Sequence, residues 1–160
     1  MSLENIKLFI FDADGTLRRT TVSGQPTPHQ DGQWELLPNV REKLHEIRSR
    51  REDIVLAIAS NQGGIELGYL SRKQARKLLE DLYKKLTGKR AAKGMIQLCS
   101  DFKSPSDCRK PKPGMLQKIM EQAGVSCKET LFVGDSEDDR DTAENAGVRF
   151  MWAKNFFGWK

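Results

Sequence analysis

The sequence predicts an α/β fold, a doubly wound, Rossmann-like parallel sheet, from two observations. Short apolar runs without alternation recur along the chain, as expected of strands that are buried on both faces of a parallel sheet. Segments with helical periodicity lie between these runs, so that strand and helix alternate throughout. The chain has 160 residues, a length that suits one globular domain. We therefore predict a single domain over residues 1–160.

Four apolar runs are predicted to be strands of this sheet. In chain order they are residues 6–11, 54–59, 130–133 and 148–152. Four segments with apolar side chains at helical spacing are predicted to be helices, over residues 39–50, 71–86, 113–124 and 138–147. Ser71 suits an N-cap, and Gly124 and Gly147 suit helix ends. One further short strand is expected between the second helix and a charged, proline-containing loop at residues 99–113. Residues 18–34 are predicted to form an irregular loop or a hairpin.

The charge balance is basic, with 27 Lys and Arg residues against 22 Asp and Glu residues and a net charge of +5. Such a surface favours anionic partners, which include phosphorylated metabolites and nucleic acid, although ordinary solvated helix faces give the same balance. Only two histidines are present, which leaves little material for histidine-based sites. No apolar run approaches the ~20 residues that a membrane span needs, so we expect no membrane partner.

The three cysteines, at positions 99, 108 and 127, are an odd number. That number suits a reducing compartment better than a framework of paired cysteines. The first residues lack the basic segment of a signal peptide. We therefore predict a cytoplasmic location.

Acidic residues stand where two predicted strands end. Asp12 and Asp14 follow the first strand, and Asp135 follows the strand at residues 130–133. Ligands of open α/β sheets bind beyond the carboxyl ends of the strands, so these side chains should converge. Converging carboxylates repel one another unless a hard cation compensates them, and we expect Mg²⁺ there.

Two further features would suit a phosphoryl group at the same edge. Ser60 follows another strand, and residues 109–113 form a basic run. Carboxylates, Mg²⁺, a lysine and a hydroxyl together indicate phosphoryl transfer. Each feature alone has an ordinary structural interpretation, such as a turn at Asp14-Gly15 or a helix cap at Ser60. Their order along the chain favours the site.

These residues resemble the four motifs of a haloacid dehalogenase (HAD) superfamily phosphatase. The first motif matches residues 12–17 and the second matches Ser60, within residues 60–65. The third matches residues 110–113, with Lys110 as its lysine. The fourth matches residues 133–135, followed by Asp139. Together these motifs span nearly the whole chain.

The resemblance implies a role for each matching position. Asp12 is the expected nucleophile, which forms an aspartyl-phosphate, and Asp14 is the expected general acid and base. Ser60 and Lys110 are expected to bind the phosphoryl oxygens. Substrate binding is assigned to Thr16, Asn61 and Arg109, and Mg²⁺ binding to Asp12, Asp14, Asp135 and Asp139, with Asp139 alternatively orienting Lys110.

The finer resemblance is to a cap-less subfamily that contains heptose-bisphosphate and histidinol-phosphate phosphatases and polynucleotide 3′-phosphatase domains. We predict a Mg²⁺-dependent phosphomonoesterase without a cap domain, acting on a sugar phosphate or a similar small phosphorylated metabolite. A polynucleotide 3′-phosphatase, and hence a nucleic-acid partner, is the alternative. A catalytically silent binding module is the alternative from another class of protein. The sequence does not determine the oligomeric state.

The sugar-phosphate members of that subfamily carry a zinc loop with four ligands before the third motif. The corresponding positions here are Cys99, Asp101, Ser106 and Cys108, so two of the four ligands are replaced. Structural zinc sites favour four nitrogen or sulfur ligands. We therefore expect no structural zinc, and expect Cys99 and Cys108 to be small buried residues or remnants of that loop.

Overall fold

The computed structural model describes residues 2–103 and 106–160. In chain order the strands are β1 (Leu8–Phe11), β2 (Arg18–Thr20), β3 (Trp34–Leu36), β4 (Val55–Asn61), β5 (Ile96–Cys99), β6 (Thr130–Gly134) and β7 (Arg149–Trp152). The helices follow in the same order: α1 (Val40–Arg50), α2 (Arg72–Thr87), α3 (Gly114–Ala123), α4 (Glu137–Ala146) and α5 (Ala153–Phe157). The predicted alternation of strands and helices is confirmed.

Five of the strands form one parallel sheet, in the order β5-β4-β1-β6-β7. Strand β1 lies at its centre, where Phe11 is in register with Ile58 of β4 and Val133 of β6. The order reverses direction on either side of β1, which is the arrangement of a doubly wound α/β fold. The predicted fold class is therefore confirmed, and the carboxyl ends of β1, β4 and β6 lie side by side.

The apolar core has two layers, one on each face of the sheet. On one face Phe9 and Phe11 of β1 pack with buried residues of α1, α2 and α5. On the other face Leu8 and Ile10 of the same strand pack with buried residues of α3 and α4. Because alternate side chains of β1 point to opposite layers, every residue of this strand is apolar and buried. This continuous apolar pattern produced the strand prediction.

The segment after β1, which was predicted to be an irregular loop or a hairpin, forms a hairpin. Strands β2 and β3 pair antiparallel, with Arg19 opposite Glu35. Helix α5 was not predicted. Its Phe156 and Phe157 are buried against β1.

The expectation of unpaired cysteines is wrong for two of the three. Cys99, the last residue of β5, forms a disulfide with Cys108, and Cys127 is free and exposed. The two sulfur atoms can bond because Cys108, nine positions after Cys99 in the sequence, lies with its Cα 5.5 Å from that of Cys99 at the end of β5. This pairing removes the argument from free thiols for a cytoplasmic location, which stays a prediction. Within the described residues, every helix is too short or too polar to cross a membrane.

Candidate active site

The candidate site is built around Asp12, the first residue after β1. Its side chain is only 10% exposed, because β4 and β6 flank the strand that delivers it. Nζ of Lys110 lies 2.7 Å from Oδ1 of Asp12, and Oγ1 of Thr16 lies 3.3 Å from Oδ2. Both carboxylate oxygens are thus held in place. Asp12 is one of the few buried charged residues in the described chain, and it lies beside a buried cation.

Lys110 is the buried cation at the centre of the site. Its Nζ donates to Asp12, to Asp139 at 2.7 Å and to the backbone oxygen of Ala59 at 3.1 Å. Three acceptors satisfy the three donors of an ammonium group. Burial acts to lower the pKa of Lys110, but the carboxylates of Asp12 and Asp139 outweigh that effect and raise it. Lys110 is therefore held in its charged form.

The backbone of Lys110 is fixed separately by Asn61. Oδ1 of Asn61 accepts from the N–H of Lys110 at 3.0 Å, and Nδ2 of Asn61 donates to the Lys110 carbonyl at 3.3 Å. This two-way contact joins the end of β4 to the loop before α3. Asn61, which was predicted to bind substrate, thus positions the backbone of Lys110.

Asp139 holds Lys110 from the first turn of α4. Oδ2 of Asp139 accepts from the N–H groups of Asp135 and Ser136, and the Ser136 hydroxyl accepts from the N–H of Asp139. This reciprocal capping box begins the helix and locks the Asp139 side chain. Its other oxygen is bound to Lys110. Both oxygens of Asp139 are therefore hydrogen-bonded, and its two expected roles, as a Mg²⁺ ligand and as the residue that orients Lys110, stay predictions.

The carboxylate of Asp14 is held by two residues that the sequence analysis did not assign to the site. Arg18 donates from Nε to Oδ1 at 2.8 Å and from Nη2 to Oδ2 at 3.3 Å. Nε2 of Gln62 donates to Oδ2 of Asp14 at 3.1 Å and to Oγ of Ser60 at 2.7 Å. Arg18 and Gln62 therefore fix Asp14, and Gln62 links it to Ser60.

The placement of Arg18 differs from the sequence analysis, which included this residue only in a polar loop or hairpin. Its side chain is 1% exposed, because β2 turns back over the first motif and Asp14 forms a bridge with Arg18. In the hairpin sequence the buried Arg18 is followed directly by Arg19, whose side chain is 64% exposed. The feature of the sequence that could have indicated this contact is Asp14, four residues before Arg18. Spacing alone does not show that the pair is buried.

Three carboxylates meet where a cation was expected. Ligand oxygens of Asp12, Asp135 and Asp139 all lie within 4.8 Å of one another. Burial raises the pKa of Asp12 well above its ordinary value, against Lys110, and raises the pKa of Asp135 as well. The negative charge of Asp139 adds to both shifts, and a hard divalent cation would relieve this repulsion.

A glycine in the turn after Asp14 lets the Asp135 carboxylate lie close to the backbone. Gly15 has φ +88°, a conformation that favours glycine, and a Cβ at this position would clash with Oδ2 of Asp135. Oγ1 of Thr16 lies 3.2 Å from Oδ1 of Asp135 and also contacts Asp12, so Thr16 joins these two carboxylates. The oxygen ligands that meet here fit Mg²⁺.

A cavity of about 700 Å³ opens beside this cluster. Asn61 and Arg109, both predicted to bind substrate, contribute to its lining. Arg109 is fixed by a 2.7 Å hydrogen bond from Nη1 to the backbone oxygen of Asp101. The structure therefore brings the predicted catalytic, metal and substrate residues to one edge of the sheet. Their individual roles stay predictions.

Comparison with known proteins gives the family. A family model described as polynucleotide kinase 3 phosphatase matches residues 7–157. A D-glycero-beta-D-manno-heptose-1,7-bisphosphate 7-phosphatase of Pseudomonas aeruginosa is 31% identical over 137 residues, covering 85% of this chain and 74% of the relative. The enzyme of the same name from Haemophilus ducreyi is 28% identical over 151 residues, covering 89% and 80%.

A solved structure shares the fold. The D,D-heptose 1,7-bisphosphate phosphatase of B. bronchiseptica, in complex with magnesium and phosphate, has a TM-score of 0.75 and 24% identity. The similarity covers 91% of this chain and 79% of that one. A putative HAD-like phosphatase from Mesorhizobium loti has a TM-score of 0.73 and 22% identity, covering 89% of this chain and 69% of that chain. The family model and the curated relatives identify the chain as a phosphatase.

Proposed function

Because the chain belongs to the polynucleotide kinase 3 phosphatase family and is a HAD-superfamily phosphatase of the heptose-bisphosphate type, we propose that it hydrolyses phosphomonoesters in two steps through Asp12. The contact that supports this most strongly is the 2.7 Å ion pair between Lys110 and Asp12. It places a fixed positive charge beside a buried carboxylate. A phosphoryl group bound there can bond to Asp12 through phosphorus and contact Lys110 through its oxygens.

In the first step a carboxylate oxygen of Asp12 bonds to phosphorus while the bond from phosphorus to the ester oxygen breaks. Asp14 gives its proton to the departing oxygen, so that the product leaves as an alcohol. In the second step Asp14 takes a proton from water as that water bonds to phosphorus. The bond from phosphorus to Asp12 then breaks and releases inorganic phosphate.

Ser60 and Lys110 bind the phosphoryl oxygens in this proposal. Oγ of Ser60 accepts from Gln62, which leaves the hydroxyl proton free to be donated to phosphate. The ammonium of Lys110 compensates the negative charge of the three phosphoryl oxygens. Asp139 and Asn61 keep Lys110 at that position through the contacts described above. Thr16 orients the carboxylates of Asp12 and Asp135 and is also assigned to substrate binding.

Mg²⁺ is the cofactor that we assign to the site. The carboxylates of Asp12 and Asp135 and the backbone carbonyl of Asp14 would hold it, and Asp139, which accepts from Lys110 and from the N–H groups of Asp135 and Ser136, would orient Lys110. When bound, the ion neutralises charge on the carboxylates and on the phosphoryl group. The magnesium in the B. bronchiseptica structure supports this assignment.

We propose a sugar phosphate as the substrate, with a heptose 1,7-bisphosphate as the first candidate. The names of the relatives support it, and Arg109 in the cavity offers a guanidinium for a second anionic group. The alternative is a 3′-phosphate at a nucleic-acid end. The net charge of +5 and the exposed rings of Tyr69 and Phe102 favour this second candidate, because bases stack on exposed rings.

A substrate panel tests the proposal. Phosphate release in the presence of Mg²⁺ is measured on D-glycero-D-manno-heptose 1,7-bisphosphate, histidinol phosphate and a 3′-phosphorylated oligonucleotide. We expect kcat/KM on the heptose bisphosphate to exceed the other values by orders of magnitude. A preference of that size for the oligonucleotide would establish the alternative. Absence of Mg²⁺-dependent release from every substrate would contradict both.

A further inference from the structure

The apolar side chains that the protein exposes are concentrated at one place. Within residues 2–103 and 106–160, the exposed large apolar residues are Leu67, Tyr69 and Phe102, which are 40%, 64% and 47% exposed. All three line the 700 Å³ cavity beside the catalytic cluster. Single exposed apolar residues are ordinary, but a group of them in one cavity marks a binding surface.

Tyr69 forms one wall of this cavity together with His29. Their rings are stacked, with centroids 5.4 Å apart and planes 10° from parallel. The stack joins the hairpin segment that contains Gln25 and Thr27 to the segment after β4, and both segments line the cavity. The Tyr69 ring is therefore held in place while most of its surface stays accessible.

Phe102 forms a second wall together with Arg109. The Arg109 guanidinium lies 5.1 Å from the centroid of the Phe102 ring and is fixed by the Asp101 carbonyl. The backbone beneath them is Gly63, where a Cβ would come within 2.8 Å of Cδ2 of Phe102. Glycine at this position lets the ring lie directly against the segment that follows β4.

The cavity adjoins the residues that would bind the phosphoryl group. Asn61 lines it and follows Ser60, and Arg109 lines it and precedes Lys110. A phosphomonoester whose phosphorus faces Asp12 therefore has this cavity as the adjoining space for its alcohol. The cavity combines ring faces with a few polar groups, which is the usual composition of a site for a small molecule.

We propose that this cavity is the leaving-group subsite and that Tyr69 and Phe102 select phosphomonoesters whose alcohol carries a ring. A sugar ring and a nucleoside both offer a flat or apolar face to such walls. The inference rests on the proposed function and adds to it a specificity for ring-bearing over ring-less alcohols.

The test compares kcat/KM on three substrates: D-glycero-D-manno-heptose 1,7-bisphosphate, thymidine 3′-monophosphate and the ring-less glycerol 3-phosphate. The variants are Tyr69→Ala, Phe102→Ala and the conservative Tyr69→Phe. We expect each alanine variant to lower kcat/KM about tenfold on the preferred ring-bearing substrate, mainly through KM, since stacking contributes a factor of this order. The loss on glycerol 3-phosphate should be much smaller. Tyr69→Phe keeps the ring and should retain the selectivity of the wild type.

Binding provides a second readout without turnover. In the Asp12→Asn background, calorimetry should show that Tyr69→Ala weakens binding of the same ring-bearing substrate about tenfold. Equal losses on ring-bearing and ring-less substrates, or no loss in either measurement, would overturn the specificity role while leaving the proposed phosphatase activity intact. No hydrolysis of any substrate by the wild type would overturn both proposals. If the alanine substitutions lower kcat/KM on the heptose bisphosphate, the ring that the cavity binds is a sugar. If they lower it on thymidine 3′-monophosphate, that ring belongs to a nucleoside.

Discussion

Nζ of Lys110 and Oδ1 of Asp139 lie 2.7 Å apart, although 29 residues separate them in the chain. The same ammonium lies 2.7 Å from Asp12, so one buried cation joins the end of β1 to the first turn of α4. Asp139 is itself fixed by the capping box with Ser136. The position of Lys110 is therefore determined by a helix start rather than by a flexible loop, before any substrate binds.

The substitution Asp139→Asn should destabilise the protein. It removes one of two carboxylates that compensate a buried ammonium, while Asp12 remains, so the free energy of unfolding should fall by about 2–3 kcal/mol. Chemical denaturation measures this change. Asp138→Asn is the matched control, because Asp138 lies one residue earlier and is exposed, and we expect it to change the value by less than about 0.5 kcal/mol. Equal effects of the two substitutions would contradict the positioning role.

The substitution Arg18→Met should affect both stability and activity. It leaves the carboxylate of Asp14, whose side chain is 15% exposed, without its buried ion-pair partner, so we expect a loss of about 2–4 kcal/mol in the free energy of unfolding. Phosphate release should slow by about 100-fold, because misplaced catalytic groups lose that order of rate. Thermal unfolding and steady-state kinetics measure the two effects.

Arg19→Met provides the comparison for that variant. Arg19 pairs with Glu35 on the hairpin, but its side chain is 64% exposed, so the pair should contribute less than about 1 kcal/mol. If Arg19→Met were as damaging as Arg18→Met, basic charge on the hairpin would matter rather than the contact with Asp14.

Mg²⁺ should stabilise the protein more as the pH rises. Burial raises the folded-state pKa of Asp12 and Asp135 above the ordinary value of 3.8. The metal-free native state therefore binds more protons than the unfolded state, and it loses stability as the pH rises from about 4 through the raised pKa values. Mg²⁺ binds the deprotonated carboxylates, so the increase in Tm on adding millimolar Mg²⁺ should grow over the same interval.

The control for that effect is NaCl at the same ionic strength, which screens charge without binding between the carboxylates. Asp135→Asn should reduce the Mg²⁺-dependent increase in Tm. An increase that stayed the same from acid to neutral pH would show that Mg²⁺ binds somewhere other than these carboxylates.

Reduction of the Cys99–Cys108 disulfide should lower stability but leave the position of Lys110 unchanged. The bond closes a short loop with a sequence separation of nine residues, and loop-closure entropy assigns about 2–3 kcal/mol to it. Lys110 keeps its backbone contacts with Asn61, so kcat should change less than about threefold. Denaturation and kinetics with and without a dithiol reductant measure both. Cys127→Ser should leave the response to reductant unchanged, and a large loss of kcat on reduction would contradict this account.

The sequence predicted the parts of the structure that depend on local patterns. Continuous apolar runs identified strands such as β1 and β6, and glycine residues such as Gly124 and Gly147 marked the ends of α3 and α4 as expected. The carboxylates at strand ends could be placed together because parallel strands end at one edge of the sheet.

The features that the sequence did not predict depend on contacts between distant segments. Arg18 and Gln62 look like ordinary polar residues, and only the folded chain shows that both contact Asp14. The disulfide requires Cys108 to lie beside the end of β5, and the sequence analysis placed Cys99 and Cys108 at zinc-loop positions without pairing them. Helix α5 has five residues and is too short for a periodic pattern to distinguish it from a loop.

The most direct test of the account is Mg²⁺-dependent phosphate release by the wild type and by Asp12→Asn, measured on whichever panel substrate the wild type hydrolyses fastest. Asn keeps the shape of the side chain but cannot form the aspartyl-phosphate, so we predict a loss of at least about 1,000-fold in kcat with the fold retained by circular dichroism. If Asp12→Asn kept a tenth or more of the wild-type rate, Asp12 would not be the nucleophile and the two-step account would be wrong.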